Sequence, residues 1–256
     1  ADLFGSLVPP GSWFDATRQH LSGYVRDHWG ACDPTDRDAP APGQAWALAQ
    51  AALAAAGDVA GPVVELGAAA GGVTRALSEQ LDTAVLGLDL SAPLARFAAR
   101  ALRGGTLHYP LRLSGTAYAE REIKVPPPRR GACELWIADA LVPPLAPACA
   151  GLVVALNLLD CVSDPKALLQ AAASLLRPGG HLLLCTPFDW STAATPVEGW
   201  VGARSAATAA PDLGGWAESV SGLRVMARTS EHGWEVRIHA RATMHYRAEL
   251  LVLKRA

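Results

Sequence analysis

Val63-Val64-Glu65-Leu66-Gly67-Ala68-Ala69-Ala70-Gly71 decides how this chain is read. A short apolar run, Val63–Leu66, makes a buried strand, and the glycines after it let the backbone turn close to a ligand in conformations costly for side chains. Val73–Leu81 then reads as a helix, so the stretch is one strand, a tight glycine-containing turn and one helix. In an open α/β sheet that turn lies at the carboxyl ends of the strands, where ligands bind.

Outward from this turn the pattern alternates. Ala84–Leu88 is a second strand ending at Asp89, and Ser91 is placed to cap a helix reaching Leu102, with Pro93 in its first turn. Leu107–Leu113 and Tyr118–Val125 read as the arms of an inserted hairpin joined around Ser114-Gly115. Leu135–Ala138 is the third conventional strand and Leu152–Leu156 the fourth. Asp164-Pro165 opens a helix over Lys166–Leu176, stopped by Pro178-Gly179-Gly180, and His181–Thr186 is the fifth strand. Pro187–Gly215 reads as loop, followed by strand-like runs at Leu223–Ser230 and Met244–Lys254. Strand and helix in alternation specify a doubly wound, mostly parallel α/β sheet.

Upstream, Gln44–Ala56 is an alanine-rich helix with Gly57 at its stop. Before it, Trp13–Trp29 forms a helix with Ser12 as N-cap, and Cys32–Gly43 is a loop. We expect residues 1–43 to be an N-terminal lid or accessory segment and 44–256 the main domain, with the hairpin insertion at about 104–131.

Composition narrows the function classes. Half the residues are apolar and 18% are charged, so this is a well-buried globular chain. A net charge of −2 gives no footprint for nucleic acid. No apolar run approaches the roughly 20 residues needed to span a bilayer. Ala1–Pro10 lacks the basic start of a signal peptide, so a cytoplasmic protein is expected. The five cysteines are scattered with no C-x-x-C pair, which predicts reduced, mostly buried thiols. Neither they nor the seven histidines have ligand spacing, and no metal site is expected.

The first turn is E-x-G-x-x-x-G, not the G-x-G-x-x-G of dinucleotide sites. An acid at Glu65 suits a cationic ligand and repels a pyrophosphate. Asp89, ending the second strand, is where an acidic side chain receives a ribose diol. With Ala138-Asp139-Ala140 after the third strand, the set resembles the class I S-adenosyl-L-methionine-dependent methyltransferases over roughly Gly57–Ala256. The resemblance implies a seven-stranded Rossmann-like sheet. It also puts Glu65 and Gly67 near the methionine moiety, Asp89 on the ribose hydroxyls and Asp139 near the adenine amino group, with Gly71, Leu90, Ala140 and Asn157 as further cofactor-binding candidates.

Further pieces narrow the likeness. Asn157-Leu158-Leu159-Asp160, Pro187-Phe188-Asp189-Trp190, Gly199-Trp200-Val201-Gly202 and Val236-Arg237-Ile238-His239-Ala240-Arg241 stand in order. With the early Tyr24-Val25-Arg26-Asp27-His28-Trp29-Gly30, they resemble the C-terminal methyltransferase domain of ovothiol-forming sulfoxide synthases. That domain N-methylates the imidazole of 5-thiohistidine. Cys161 stands where that family carries a basic residue.

The expected chemistry is in-line displacement at a sulfonium, for which alignment and exclusion of water supply most of the acceleration. A neutral imidazole nitrogen is a competent nucleophile. Asp160 is the candidate to orient the ring, while Tyr24 and His28, four apart on one helix, are candidate catalytic lid residues. Trp190 is a candidate pocket wall, and Arg237 and Arg241 are candidates to hold a substrate carboxylate. The expected partner is a small-molecule substrate, with no nucleic acid and no membrane; the oligomeric state is open. An O- or C-methyltransferase for another metabolite is the alternative within enzymes, and a non-catalytic cofactor-binding domain the alternative outside them. A base-methylating enzyme would carry Asn/Asp-Pro-Pro-Tyr after the fourth strand, where this chain has Asn157-Leu158-Leu159-Asp160.

Overall fold

β1 (Val63–Leu66) sits in the middle of the sheet with all four residues buried. It is flanked by β2 (Ala84–Asp89) and β6 (Ala150–Leu156), both parallel to it. The computed structural model describes residues 12–36, 43–201 and 212–256. Its seven-stranded sheet runs β5-β2-β1-β6-β7-β9-β8, where β5 is Ala132–Ile137, β7 Leu176–Thr186, β8 Arg224–His239 and β9 Ala242–Lys254. The first five run parallel, β9 is antiparallel to β7, and β8 is antiparallel to β9. The doubly wound, mostly parallel α/β sheet expected from the alternation is therefore present, and β3 (Gly105–Ser114) with β4 (Ala117–Val125) forms the inserted antiparallel hairpin.

Two apolar clusters fill the two faces of the sheet. On one, Leu168, Leu169, Ala172 and Leu175 of α5 (Pro165–Leu175) and Leu213 and Ala217 of α6 (Leu213–Ser221) pack on Leu66, Val153 and Leu182. On the other, Leu48, Ala49 and Ala52 of α2 (Gln44–Ala56) and Val73 and Leu77 of α3 (Gly72–Leu81) cover Val63, Val154 and Leu183. A third cluster joins α1 (Trp13–Trp29) to the hairpin: Val25 and Trp29 meet Leu107, Tyr109 and Ile123, with Phe97 of α4 (Ala92–Ala101) between them. The hairpin thus fastens α1 over the carboxyl ends of the strands.

Several local expectations change. The third conventional strand starts earlier than Leu135, because β5 pairs with β2 from Ala132. β7 begins at Leu176, where a shift in register lets Arg177-Pro178-Gly179-Gly180 continue the strand. α6 was not expected: Gly214 and Gly215 argue against a helix, yet Asp212 Oδ1 accepts the Gly215 N–H at 3.1 Å and starts one. β8 extends well past Ser230 to His239. Ser91 holds the N-cap position of α4 without a side-chain cap bond; its N–H instead donates to Asp89 Oδ1 at 2.8 Å. Of the five thiols only Cys185 is buried. The expectations for residues 1–10, for the 37–42 part of the Cys32–Gly43 loop and for Gly202 lie outside the described residues. Among the described residues, no helix is long and apolar enough to cross a membrane, and no group of three His, Cys, Asp or Glu is placed to hold a metal ion.

Candidate active site

The turn after β1 is built by hydrogen bonds to the end of β2. The N–H groups of Gly67 and Ala68 both donate to Leu88 O, and Ala69 N–H donates to Asp89 Oδ2 at 2.8 Å. Gly67 has φ +74°, a conformation that favours glycine, and a Cβ there would lie 2.9 Å from Leu158 Cδ1 and push that side chain aside. Asp89 therefore shapes the turn with one oxygen and Ser91 with the other, and each oxygen keeps capacity for a further donor.

Above this turn lies a cavity of about 590 Å³ lined by Glu65, Gly67, Ala69, Asp89, Leu90 and Asn157, and roofed by α1 through His20, Tyr24, Asp27 and His28. Among the described residues its walls hold three carboxylates and no lysine or arginine. Glu65 is 3% exposed, and burial pushes its carboxyl up to about 8, against a 2.5 Å hydrogen bond from Thr74 Oγ1. Burial also raises Asp89. Asn157, held at φ +51° after β6, has a buried Oδ1 with no hydrogen-bond partner. Acidic walls with an unanswered acceptor fit a ligand that brings positive charge and N–H donors.

A second cavity, about 270 Å³, opens beside the first. The two share His20, Tyr24, Asp27, Asn157, Cys161 and Trp234 as a common wall. Asp160, Arg112, Asp189, Arg237 and Tyr246 line only the second. Asp160 is buried; its Oδ2 accepts Asp189 N–H at 2.7 Å, and burial raises its carboxyl. Asp189 Oδ2 in turn accepts the Tyr246 hydroxyl at 2.7 Å. Burial, then Asp160 and Asp189, push the Cys161 thiol up to about 12, so it stays protonated at neutral pH. Arg112 comes from the hairpin, its Nε bonded to Gly115 O and one terminal nitrogen to Gln19 Oε1.

The structure does not gather every residue the sequence singled out. Gly71, Asp139 and Ala140 are absent from the walls of the first cavity. Gly71 is the left-handed N-cap of α3, packed close to Ala98, and Asp139 Oδ1 closes a turn by accepting Leu141 N–H at 2.9 Å. Trp190 lines neither cavity: it stacks on Trp200 at 6.3 Å and packs on the α5 and α6 core. Arg241 is also outside the second cavity, in the turn between β8 and β9, whereas Arg237 lines it. His28 lines the first cavity, but its Nδ1 accepts Gly72 N–H at 2.9 Å, and burial lowers it to about 4. It is a neutral cap for α3, which argues against an acid–base part. Residues missed were Asp27, Trp234, Tyr246 and Arg112. Asp27 stood inside the quoted Tyr24–Gly30 stretch, but the others sit on hairpins whose reach the local pattern does not encode.

No curated protein matches the sequence. Among solved structures, one reported for conversion of a disulfide bond into a thioacetal group during echinomycin biosynthesis aligns with a TM-score of 0.53, 17% identity, and coverage of 82% of this chain and 80% of that one. Geranyl diphosphate methyltransferase in complex with S-adenosylmethionine aligns with a TM-score of 0.53 and 12% identity over 82% and 85%. A SAM-dependent methyltransferase from Methanosarcina mazei gives 0.51 and 12% over 77% and 93%. These likenesses show a shared fold. The family described as a methyltransferase domain matches residues 43–240, which spans the turn after β1, Asp89, Asn157 and Asp160. The acidic cavity and its unanswered Asn157 acceptor fit the cofactor of such enzymes, S-adenosylmethionine, which is cationic at sulfur and at its amino group. On that match the chain belongs to the methyltransferase domain family.

Proposed function

We propose that this methyltransferase moves a methyl group to a ring nitrogen of a small thiol-imidazole amino acid of the 5-thiohistidine type. The observation that carries this reading is the second cavity. At about 270 Å³ it lies at the small end of ligand sites, and it mixes Arg112 and Arg237 with Asp160 and Asp189 between the rings of Tyr24, Trp234 and Tyr246. Both signs of charge in an aromatic-walled space suit a zwitterion with a flat ring. The likeness of Asn157–Asp160, Pro187–Trp190 and Val236–Arg241 to the thiohistidine N-methylating domain supports the same acceptor.

In this reading each residue has a defined task. S-adenosylmethionine supplies an activated methyl group when bound. Glu65 and Asn157 hold its amino group, and Asp89 takes the ribose hydroxyls with the lone pairs left by Ala69 and Ser91. Asp160, fixed by Asp189 N–H, accepts from the acceptor ring and selects the nitrogen that faces the shared wall. Arg237 receives the acceptor carboxylate. Tyr24, carried by α1 over both cavities, closes the passage to water. Alignment matters because a thiolate is the stronger nucleophile, and a displacement of about 1 Å can cost about a hundred-fold in rate.

The test is mass-spectrometric detection of methyl transfer to 5-thiohistidine, histidine and related thiol-imidazoles, beside hydroxyl and carbon acceptors. Ring-nitrogen methylation of a thiol-imidazole is the expected result. Methylation of hydroxyl or carbon acceptors alone would overturn the acceptor while leaving the family intact.

A further inference from the structure

Six residues form the wall shared by the two cavities, and any methyl group passing from one to the other crosses it. Few of the six can accept a proton at neutral pH. Asn157 and Trp234 have no basic atom of that kind. The Cys161 thiol is raised to about 12, and the Tyr24 hydroxyl is raised by burial and then by Cys161, Asp89, Asp160 and Asp27. His20 is exposed, edge-on to Tyr24. Asp27 is 8% exposed and is fixed in place, since its Oδ1 accepts Gln44 N–H at 2.9 Å at the start of α2.

We propose that Asp27 is the general base of this enzyme, taking the acceptor's proton at the wall where the methyl group crosses. The inference rests on the two-cavity reading of the site, and it does not depend on which acceptor fills the second cavity. In the step, the bond between the acceptor atom and the methyl carbon forms as the sulfonium carbon–sulfur bond breaks. Sulfur keeps that electron pair. The proton on the acceptor atom facing the wall passes to the Asp27 carboxylate and from there to water; for a thiol-imidazole this is the second N–H of a ring protonated beside its thiolate, the first being held by Asp160. A carboxylate has lone pairs for this beyond the one that holds Gln44.

The surroundings of Asp27 suit the task. Burial pushes its carboxyl up to about 6, against the N–H groups of Gln44 and Ala45 and the charge of Arg26. On its own helix the other titratable neighbours at the cavities are His20, Tyr24 and the neutral His28; α2 brings no charge, β1 and β2 bring Glu65 and Asp89, β8 brings Arg237, and the stretch after β6 brings Asp160 and Cys161. A base with a pKa near the operating pH is ionised and still basic enough to take a proton.

Two measurements test the assignment. The first needs no acceptor: carbon-13 carboxyl titration of the protein saturated with S-adenosylhomocysteine. One carboxylate titrating near pH 6 and missing from Asp27→Asn is expected; unchanged titration curves in Asp27→Asn would overturn the proposal. The second is the pH profile of kcat/KM, run with whichever member of the acceptor panel the wild type methylates fastest, so a wrong acceptor changes the substrate and not the comparison. Asp27→Asn keeps an oxygen for Gln44, so a merely structural residue would leave its rate near wild type and only Asp27→Ala would suffer. A base predicts that both variants fall about a hundred-fold or more at saturating S-adenosylmethionine, a loss larger than any change in cofactor affinity read by calorimetry. Retention of full rate and of the acid limb by Asp27→Asn, or loss of that limb in His20→Gln instead, would sink the idea.

Discussion

The Nδ1 atom of His28 accepts the N–H of Gly72 at 2.9 Å, tying α1 to the first turn of α3. The residues on either side do related work: Asp27 Oδ1 holds Gln44 N–H at the start of α2, and Trp29 Nε1 donates to Ala70 O at 2.7 Å. Three consecutive side chains thus join the roof of the cofactor cavity to two helix starts and to the glycine turn. His28→Ala should cost about 0.5–2 kcal/mol, the usual range for a lost N-cap. His28→Asn, which keeps an acceptor, should cost less, and chemical denaturation of the two variants measures the difference.

The same residue gives a pH dependence. His28 is lowered by burial to about 4, from an ordinary 6.5, so the unfolded chain takes up its proton first as the solution is acidified. Its contribution to stability is complete above pH 6.5 and is lost progressively as pH falls toward 4. Melting temperature measured across that window should fall less steeply in His28→Asn than in wild type.

Glu65 works in the opposite sense. Its folded value of about 8 lies above the ordinary 4.5, so the folded protein holds the proton longer and loses stability as pH rises between those values. Glu65→Gln should flatten that decline in the cofactor-free protein, and its melting temperature at pH 8 should exceed the wild type's. The same change should weaken S-adenosylmethionine binding, because a glutamine there cannot ionise when a cation arrives beside it, whereas the Glu65 carboxyl can give up its proton. A calorimetric affinity unchanged in Glu65→Gln would contradict the placement of the amino group.

Asp89 and Asp160 should separate binding from turnover. Asp89→Ala removes a charged acceptor from the cofactor cavity, a loss of about 1.5–3 kcal/mol, or roughly ten- to a hundred-fold in affinity. Asp160 lines only the second cavity, so Asp160→Ala should lower kcat/KM with cofactor affinity nearly untouched. Equal losses of cofactor affinity in both variants would show that the two cavities do not divide the labour as described.

The two arginines should differ. Arg237 lines the second cavity and Arg241 does not, so Arg237→Ala is expected to raise the acceptor KM about ten-fold or more while Arg241→Ala leaves it near wild type. Steady-state kinetics with the identified acceptor checks the contrast.

How much of this was legible in the sequence depends on distance along the chain. The turn after β1, the acid ending β2 and the parallel order of the core strands follow from local patterns, because strand, glycine turn and helix are contiguous there. Asp139 and Trp190 lie outside both cavities for a related reason: each sits next to a cavity-lining element in sequence, but Asp139 closes its own turn and Trp190 faces the core beside Trp200. Trp234 and Tyr246 went unread because their place depends on how far β8 and β9 extend as a paired ribbon, where Trp234 lies opposite Tyr246 and their rings stack at 4.9 Å. Asp27 was missed because a helical acid next to an arginine reads as surface, and only the fold buries it.

That ribbon carries a consequence for how such an enzyme changes its preference. β9 is anchored in the sheet from Glu249 to Lys254 by pairing with β7, while the stretch from Ala242 to Ala248 pairs only with β8. The free half bears Trp234, Val236, Arg237, Ile238 and Tyr246, most of one side of the second cavity, and of these only Trp234 also lines the first. Diversity can therefore accumulate in a limb that hangs off the sheet edge, with the cofactor-binding turn left as it is. A library confined to residues 232–247 would be the economical place to look for altered acceptors.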